Sequence, residues 1–204
     1  MTSDGFEGAL TFVLIWEGGL SNDPDDPGGR TFRGVTQREY DRWRSAHDEP
    51  LRDVADLADG ELQEIYWGGY WLPSGCATLP SLIDLLEFDT AVNMGVVRAI
   101  RMLQAEVGVA VDGVLGPLTL QALSAADPQV LMIGYCERRQ QYYQALVQRL
   151  PDLSKYLQGW LNRLNALRVA IGILPPSNAE LLDFGVARHS ASIPDFGTNT
   201  AFDF

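Results

Sequence analysis

The sequence predicts a mainly α fold with one small β-hairpin near the N-terminus. Apolar residues recur at spacings of three and four through most of the chain, and helix-start and helix-stop residues bracket those runs. No long alternating run of apolar and polar residues occurs, which leaves room for a short hairpin only.

The elements follow in order. Ala9 to Trp16 predicts a first helix, and its consecutive Phe12, Val13, Leu14, Ile15 and Trp16 predict burial on every side. Gly18-Gly19 suits a left-handed end to that helix. Residues 20 to 35 hold Asn, Asp, Pro and Gly and are the place for the hairpin. Thr36-Gln37-Arg38-Glu39 matches a capping box and starts the next helix. Val96, Ile100, Leu103 and Val107 form one helical stripe, stopped by Gly108. Within Val111 to Thr119, glycines and Pro117 describe a turn into a short helix, a reading that needs no ligand and leaves both a scaffold and a wall-binding role open. Asp127-Pro128 supplies a cap acceptor and a first-turn proline for a helix carrying Leu131, Tyr135, Tyr142, Leu146 and Leu150. Trp160, Leu164, Leu167 and Ile171 mark a helix from Ser154 to Ile171. From Pro175 the periodicity fades, which predicts an extended or partly disordered tail over 175–204.

Composition narrows the function. A chain of 204 residues, 46% apolar and 21% charged, can bury a real core as a soluble globular protein. Fifteen basic against 27 acidic residues give a net charge of −12, which argues against nucleic acid as a partner, because phosphate binding rests on basic groups. The first basic residue is Arg30, so the N-terminal segment lacks the positive region of a secretory signal. The eight residues Ala9 to Trp16 fall short of the roughly 20 that cross a bilayer. The expectation is a soluble chain made in the cytoplasm, without membrane insertion. Cys76 and Cys136 are expected as free thiols, and with only His47 and His189 beside them no metal site is expected.

Glu17 is the first residue with a chemical reading. A carboxyl delivered by an apolar helix to the edge of a core is poorly solvated, and the negative helix end acts in the same direction, so its pKa rises. A carboxyl that keeps its proton near neutrality is what a general acid requires. The following loop, Asn22-Asp23-Pro24-Asp25-Asp26-Pro27-Gly28-Gly29, offers a second carboxylate. An elevated acid facing an ionised one is the pair used in glycoside cleavage. The same aspartates also fit a capped turn or a calcium loop, although two prolines and a missing distal glutamate speak against an EF-hand.

A string of motifs resembles glycoside hydrolase family 108, the lysozyme-like N-acetylmuramidases. They are Glu17-Gly18-Gly19, Asn22-Asp23-Pro24, Asp26-Pro27-Gly28-Gly29, Thr31, Gly34-Val35-Thr36, Tyr70-Trp71, Leu79-Pro80 and Phe88 to Gly95. Val111 to Thr119 and Gly159-Trp160-Leu161-Asn162-Arg163 resemble the start and end of the predicted peptidoglycan region that usually follows, so the resemblance spans residues 6 to 174. It implies a lysozyme-like helical fold, with a catalytic region at 1–94 and a helical peptidoglycan-binding-like region at 95–174 packed on it. It also implies hydrolysis of the β-1,4 bond between N-acetylmuramic acid and N-acetylglucosamine, with Glu17 as general acid and no cofactor. Alternatives are a lytic transglycosylase and a wall-binding or assembly protein without hydrolysis.

Carry-over to other residues follows from the same resemblance. Asp26, nine residues after Glu17, is similar to the assisting carboxylate of phage-type lysozymes, and Thr31 either orients a water or satisfies the hairpin. Thr36 is a further substrate contact. Asp89 and Asn93, four apart, share a helix face. They either meet a sugar acetamido group or form a buried polar pair tied to the Gly-rich loop. Tyr70 and Trp71, with Tyr66 and Trp67, either stack on sugar rings or belong to the core. The implied partner is bacterial peptidoglycan, met in the periplasm or wall by a monomer released through a holin, lysis or dedicated secretion, as in phages and prophages.

Overall fold

A computed structural model describes residues 4–22 and 29–173 of the chain. The turn expected over Asp23 to Gly28 and the tail expected at 175–204 lie outside the described residues. Among the described residues there are eight α-helices and one two-stranded antiparallel hairpin, the mainly α, lysozyme-like arrangement expected.

Helix α1 (Asp4–Trp16) buries Phe6, Ala9, Leu10, Val13 and Trp16, at spacings of three and four. The expectation of burial on every side fails: Ile15 is 59% exposed, because α1 packs on one side only, against α4 (Ile83–Met94). Gly18 and Gly19 are exposed and neither takes a positive φ, so α1 ends without a left-handed cap. Its last turn closes through Glu17 N donating to Val13 O at 3.2 Å.

The hairpin is shorter than expected. Strands β1 (Thr31–Phe32) and β2 (Val35–Thr36) pair Thr31 with Thr36 and Phe32 with Val35. Arg33 and Gly34 turn between them with φ of 51° and 80°, the positive pair that suits hairpin twist. Ser21 adds a backbone bridge to Thr31 at 2.8 and 3.0 Å, which extends the hairpin's pairing by one residue. Thr36 then caps α2 (Gln37–Ala46), its Oγ1 accepting from Glu39 N at 3.2 Å.

Helices α3 (Asp59–Tyr66), α5 (Val96–Val107), α6 (Pro117–Ala125), α7 (Pro128–Arg149) and α8 (Ser154–Ala170) complete the body. Their ends follow the sequence signals. Gly108 takes φ 71° after α5, and Asp127 Oδ1 accepts from Gln129 N and Val130 N at the start of α7. The buried Gln104 of α5 ties down the 111–119 turn, bonding Asp112 Oδ1 at 2.7 Å, Val114 O at 3.0 Å and Gly113 N at 2.8 Å. Cys76 and Cys136 are free thiols, both buried.

Two apolar cores share α4. Phe88 and Val92 face a cluster with Phe6, Leu10, Val13, Tyr40, Tyr66 and Trp71. Leu86 and Met94 face a second cluster with Leu103, Tyr135, Leu146, Trp160 and Leu164. A helix enclosed on both faces has no wet side for its polar residues, yet Glu87, Asp89, Thr90 and Asn93 are all buried in it. Such groups need partners supplied by the packed helices. No helix among the described residues is long and apolar enough to cross a membrane.

Candidate active site

Glu17 follows directly on α1 and keeps 9% of its surface exposed. Its Oε1 accepts from Nη1 of Arg163, on α8, at 2.7 Å. The same guanidinium donates Nε–H to Asp89 Oδ1 at 2.7 Å, and Arg139 of α7 donates to Asp89 Oδ2 at 2.7 Å. Arg139 also reaches Thr90 Oγ1 at 3.0 Å and donates Nε–H to the Tyr143 hydroxyl at 2.7 Å. That hydroxyl donates in turn to Asn93 Oδ1 at 2.7 Å. The outcome is a chain of alternating charge, Glu17, Arg163, Asp89, Arg139, whose last three members are fully buried.

Burial raises the Glu17 carboxyl above its ordinary range; Arg163 opposes the rise and the Asp89 charge adds to it. Burial also pushes Asp89 upward, but the two guanidiniums outweigh it and hold Asp89 below its ordinary value. Asp89 is therefore ionised at neutral pH while Glu17 is tuned toward keeping a proton. A third carboxyl, Glu87, is pushed up to about 8 by burial and takes the Tyr135 hydroxyl at 2.9 Å.

Gly34 of the hairpin lies beside the other oxygen of Glu17 and, having no side chain, leaves that oxygen room. A Cβ added at Gly34 would stand 3.0 Å from Glu17 Cγ and Oε2 and would run into the Tyr66 hydroxyl. That hydroxyl donates to Arg33 O at 2.9 Å, so it is not free to yield. Gly34 is thus required both by its φ of 80° and by its neighbours. Gly34→Ala is expected to destabilise the fold by about 1–3 kcal/mol. It should also reduce activity, through displacement of Glu17, by more than the thermal melt alone explains; kinetics beside a melting curve measure both.

The other expected residues are placed as follows. Thr31 Oγ1 donates to Gly29 O at 3.0 Å, a bond within the hairpin. Thr36 is the α2 cap described above. Tyr70 is half-buried and its hydroxyl bonds Glu39, a carboxyl raised by desolvation. Trp71 is 1% exposed, among Phe6, Trp67 and Phe88, so it belongs to the core and offers no face to a sugar. Asp89 and Asn93, at 0% and 1% exposure, are buried polar groups that bind α4 to α7 and α8. The partners that helix enclosure demands consume their acceptors. Asp26 lies outside the described residues.

Sequence reasoning missed Arg163, Arg139 and the contact of Gly34 with Glu17. A signal for the arginines exists: Arg163 falls in the stripe of Trp160, Leu164 and Leu167, and Arg139 in that of Tyr135, Tyr142 and Leu146. A charge in a core stripe asks for a buried counter-charge. Among the described residues no group of three or more His, Cys, Asp or Glu stands together to hold a metal ion.

Comparison with known proteins agrees with this geometry. Residues 10–95 match the family model "Glycosyl hydrolase 108" and residues 98–165 match "Predicted Peptidoglycan domain". The solved structure of Brucella abortus SagA is similar, at 29% identity and a TM-score of 0.69, over 85% of this chain and 97% of that one. No curated protein sequence matches. Glu17 and its hairpin lie in the region that matches glycosyl hydrolase 108, Arg139 and Arg163 lie in the region that matches the predicted peptidoglycan domain, and the two domains together make the chain a glycoside hydrolase that acts on peptidoglycan.

Proposed function

We propose that the protein is an N-acetylmuramidase that hydrolyses the β-1,4 bond between N-acetylmuramic acid and N-acetylglucosamine, with Glu17 as general acid. The observation that carries this reading is the Glu17 carboxyl itself. It is nearly enclosed, raised by desolvation, and held through one oxygen by Arg163. The other oxygen is then the one to carry the proton to the glycosidic oxygen as the bond breaks. No cofactor enters this chemistry, because proton transfer and electrostatic stabilisation suffice. Asp26, or a water oriented near Thr31, is the proposed second group. With peptidoglycan as substrate, the proposed place of action is the periplasm or the wall itself.

The general acid must be protonated, so activity should persist above pH 4.5, the ordinary value for a glutamate, and fall as pH rises through the raised value. Mass spectrometry of peptidoglycan digested by the purified protein tests the bond and the reaction together. Hydrolysis by a muramidase leaves a reducing N-acetylmuramic acid end. A 1,6-anhydro end would replace this reading with a transglycosylase, and a reducing N-acetylglucosamine end would move the cleavage to the other bond.

A further inference from the structure

Arg163 lies in the stretch matched by the predicted peptidoglycan domain, yet its side chain is fully buried against a residue of the hydrolase region. Its three nitrogens divide the work. Nη1 takes Glu17 Oε1, Nε takes Asp89 Oδ1, and Nη2 is a buried donor without a hydrogen-bond partner among the described residues. Asp89 is in turn fixed by Arg139, which spans from α7 to Asp89, Thr90 and Asn93. From α7 and α8, then, a rigid buried frame reaches through α4 to one oxygen of Glu17.

We infer that Arg163 is the positioning residue of Glu17, and that the second matched region completes the active site instead of serving as a separable wall-binding module. The inference rests on the reading of Glu17 as the general acid and deepens it. A general acid that gives up its proton becomes a carboxylate in a desolvated place, which is costly without a counter-charge. Arg163 stands 2.7 Å from the oxygen that shares this charge. It stabilises the anion formed as the glycosidic oxygen takes the proton, and it fixes which oxygen delivers it. Asp89, held between two guanidiniums, keeps the arginine from swinging away.

Among the described residues, the charged and titratable groups facing Glu17 are few. They are Arg163 from α8, Asp89 from α4, and the hydroxyls of Tyr66 from α3 and Tyr70 from the turn after it. Burial pushes both tyrosines above their ordinary value, so they stay neutral. Arg163 is therefore the positive charge that limits the rise of Glu17, and its removal must push the carboxyl further up.

The test compares wild type with Arg163→Gln and Arg163→Lys, in the full chain, on soluble peptidoglycan fragments. The readouts are kcat, KM and the pH profile, with folding checked by circular dichroism. The Gln variant should lose up to about 100-fold in kcat with little change in KM. Its basic limb should move to higher pH by about one unit or more. The Lys variant keeps the charge without the fork, so it should lose kcat with a smaller shift of the limb. Should the Gln variant fail to fold, the Lys variant decides. A folded variant with the kcat and basic limb of wild type overturns the inference, whereas a wild type that cleaves no glycan overturns the general-acid reading itself.

Discussion

Asp89→Ala is expected to cost about 3–5 kcal/mol of stability, the largest effect on folding of any single substitution near the site. The side chain is fully buried and each of its oxygens takes a guanidinium at 2.7 Å. Removal leaves Arg139 without its counter-ion and Arg163 with Glu17 alone, in a region closed to water. At about 2–4 °C per kcal/mol for a chain of this size, the melting temperature should fall by roughly 6–20 °C. Asp89→Asn keeps the shape and loses the charge, so it should fall in the same direction by less. The dependence on pH has a definite sign. The folded pKa of Asp89 is below 3.8, so its stabilisation is present above that pH and is lost as pH falls through the folded value. Wild type and the Asn variant should therefore converge in strong acid. Equal melting temperatures at pH 7 would mean that the buried charge chain contributes nothing to the fold.

Much of the fold was legible because it follows from local rules. Gly108, Asp127-Pro128, Pro117 and the Thr36 cap each act through their own backbone, and each marks an element end within a residue or two. Burial around α1 was less legible. Periodicity counts apolar residues but does not know that the neighbours of a helix all lie on one side of it, so Ile15 was expected inside and lies outside.

The site was legible at Glu17, where the end of an apolar run and a desolvated carboxyl coincide. It was not legible at Arg163, which meets Glu17 across 146 positions of chain. A pairing of that kind is set by how α8 packs on α4, not by any local spacing. Asp89 and Asn93 show the same limit: four-residue spacing puts both on one face, but only the packed helices decide whether the face meets substrate or core. Trp71 is a similar case. Its neighbours Phe6 and Phe88 come from α1 and α4, and they turn a candidate sugar platform into a core residue.

The second large effect concerns Glu17, whose substitution tests the proposed chemistry at its centre. Glu17→Gln preserves shape and the acceptor for Arg163 but cannot deliver a proton. General acid catalysis contributes about 10²–10⁴ in rate, so clearing of purified cell walls should fall by roughly a thousandfold. Stability should not fall with it. The raised carboxyl marks ionised Glu17 as unfavourable in the folded state, a cost that appears as pH rises through its folded value and that glutamine avoids. The decisive measurement is therefore the rate of wall clearing by wild type and Glu17→Gln at equal concentration, both shown to be folded. A near-complete loss in the variant is the predicted result, and equal rates would contradict the assignment of Glu17 as the acid that cleaves the glycan.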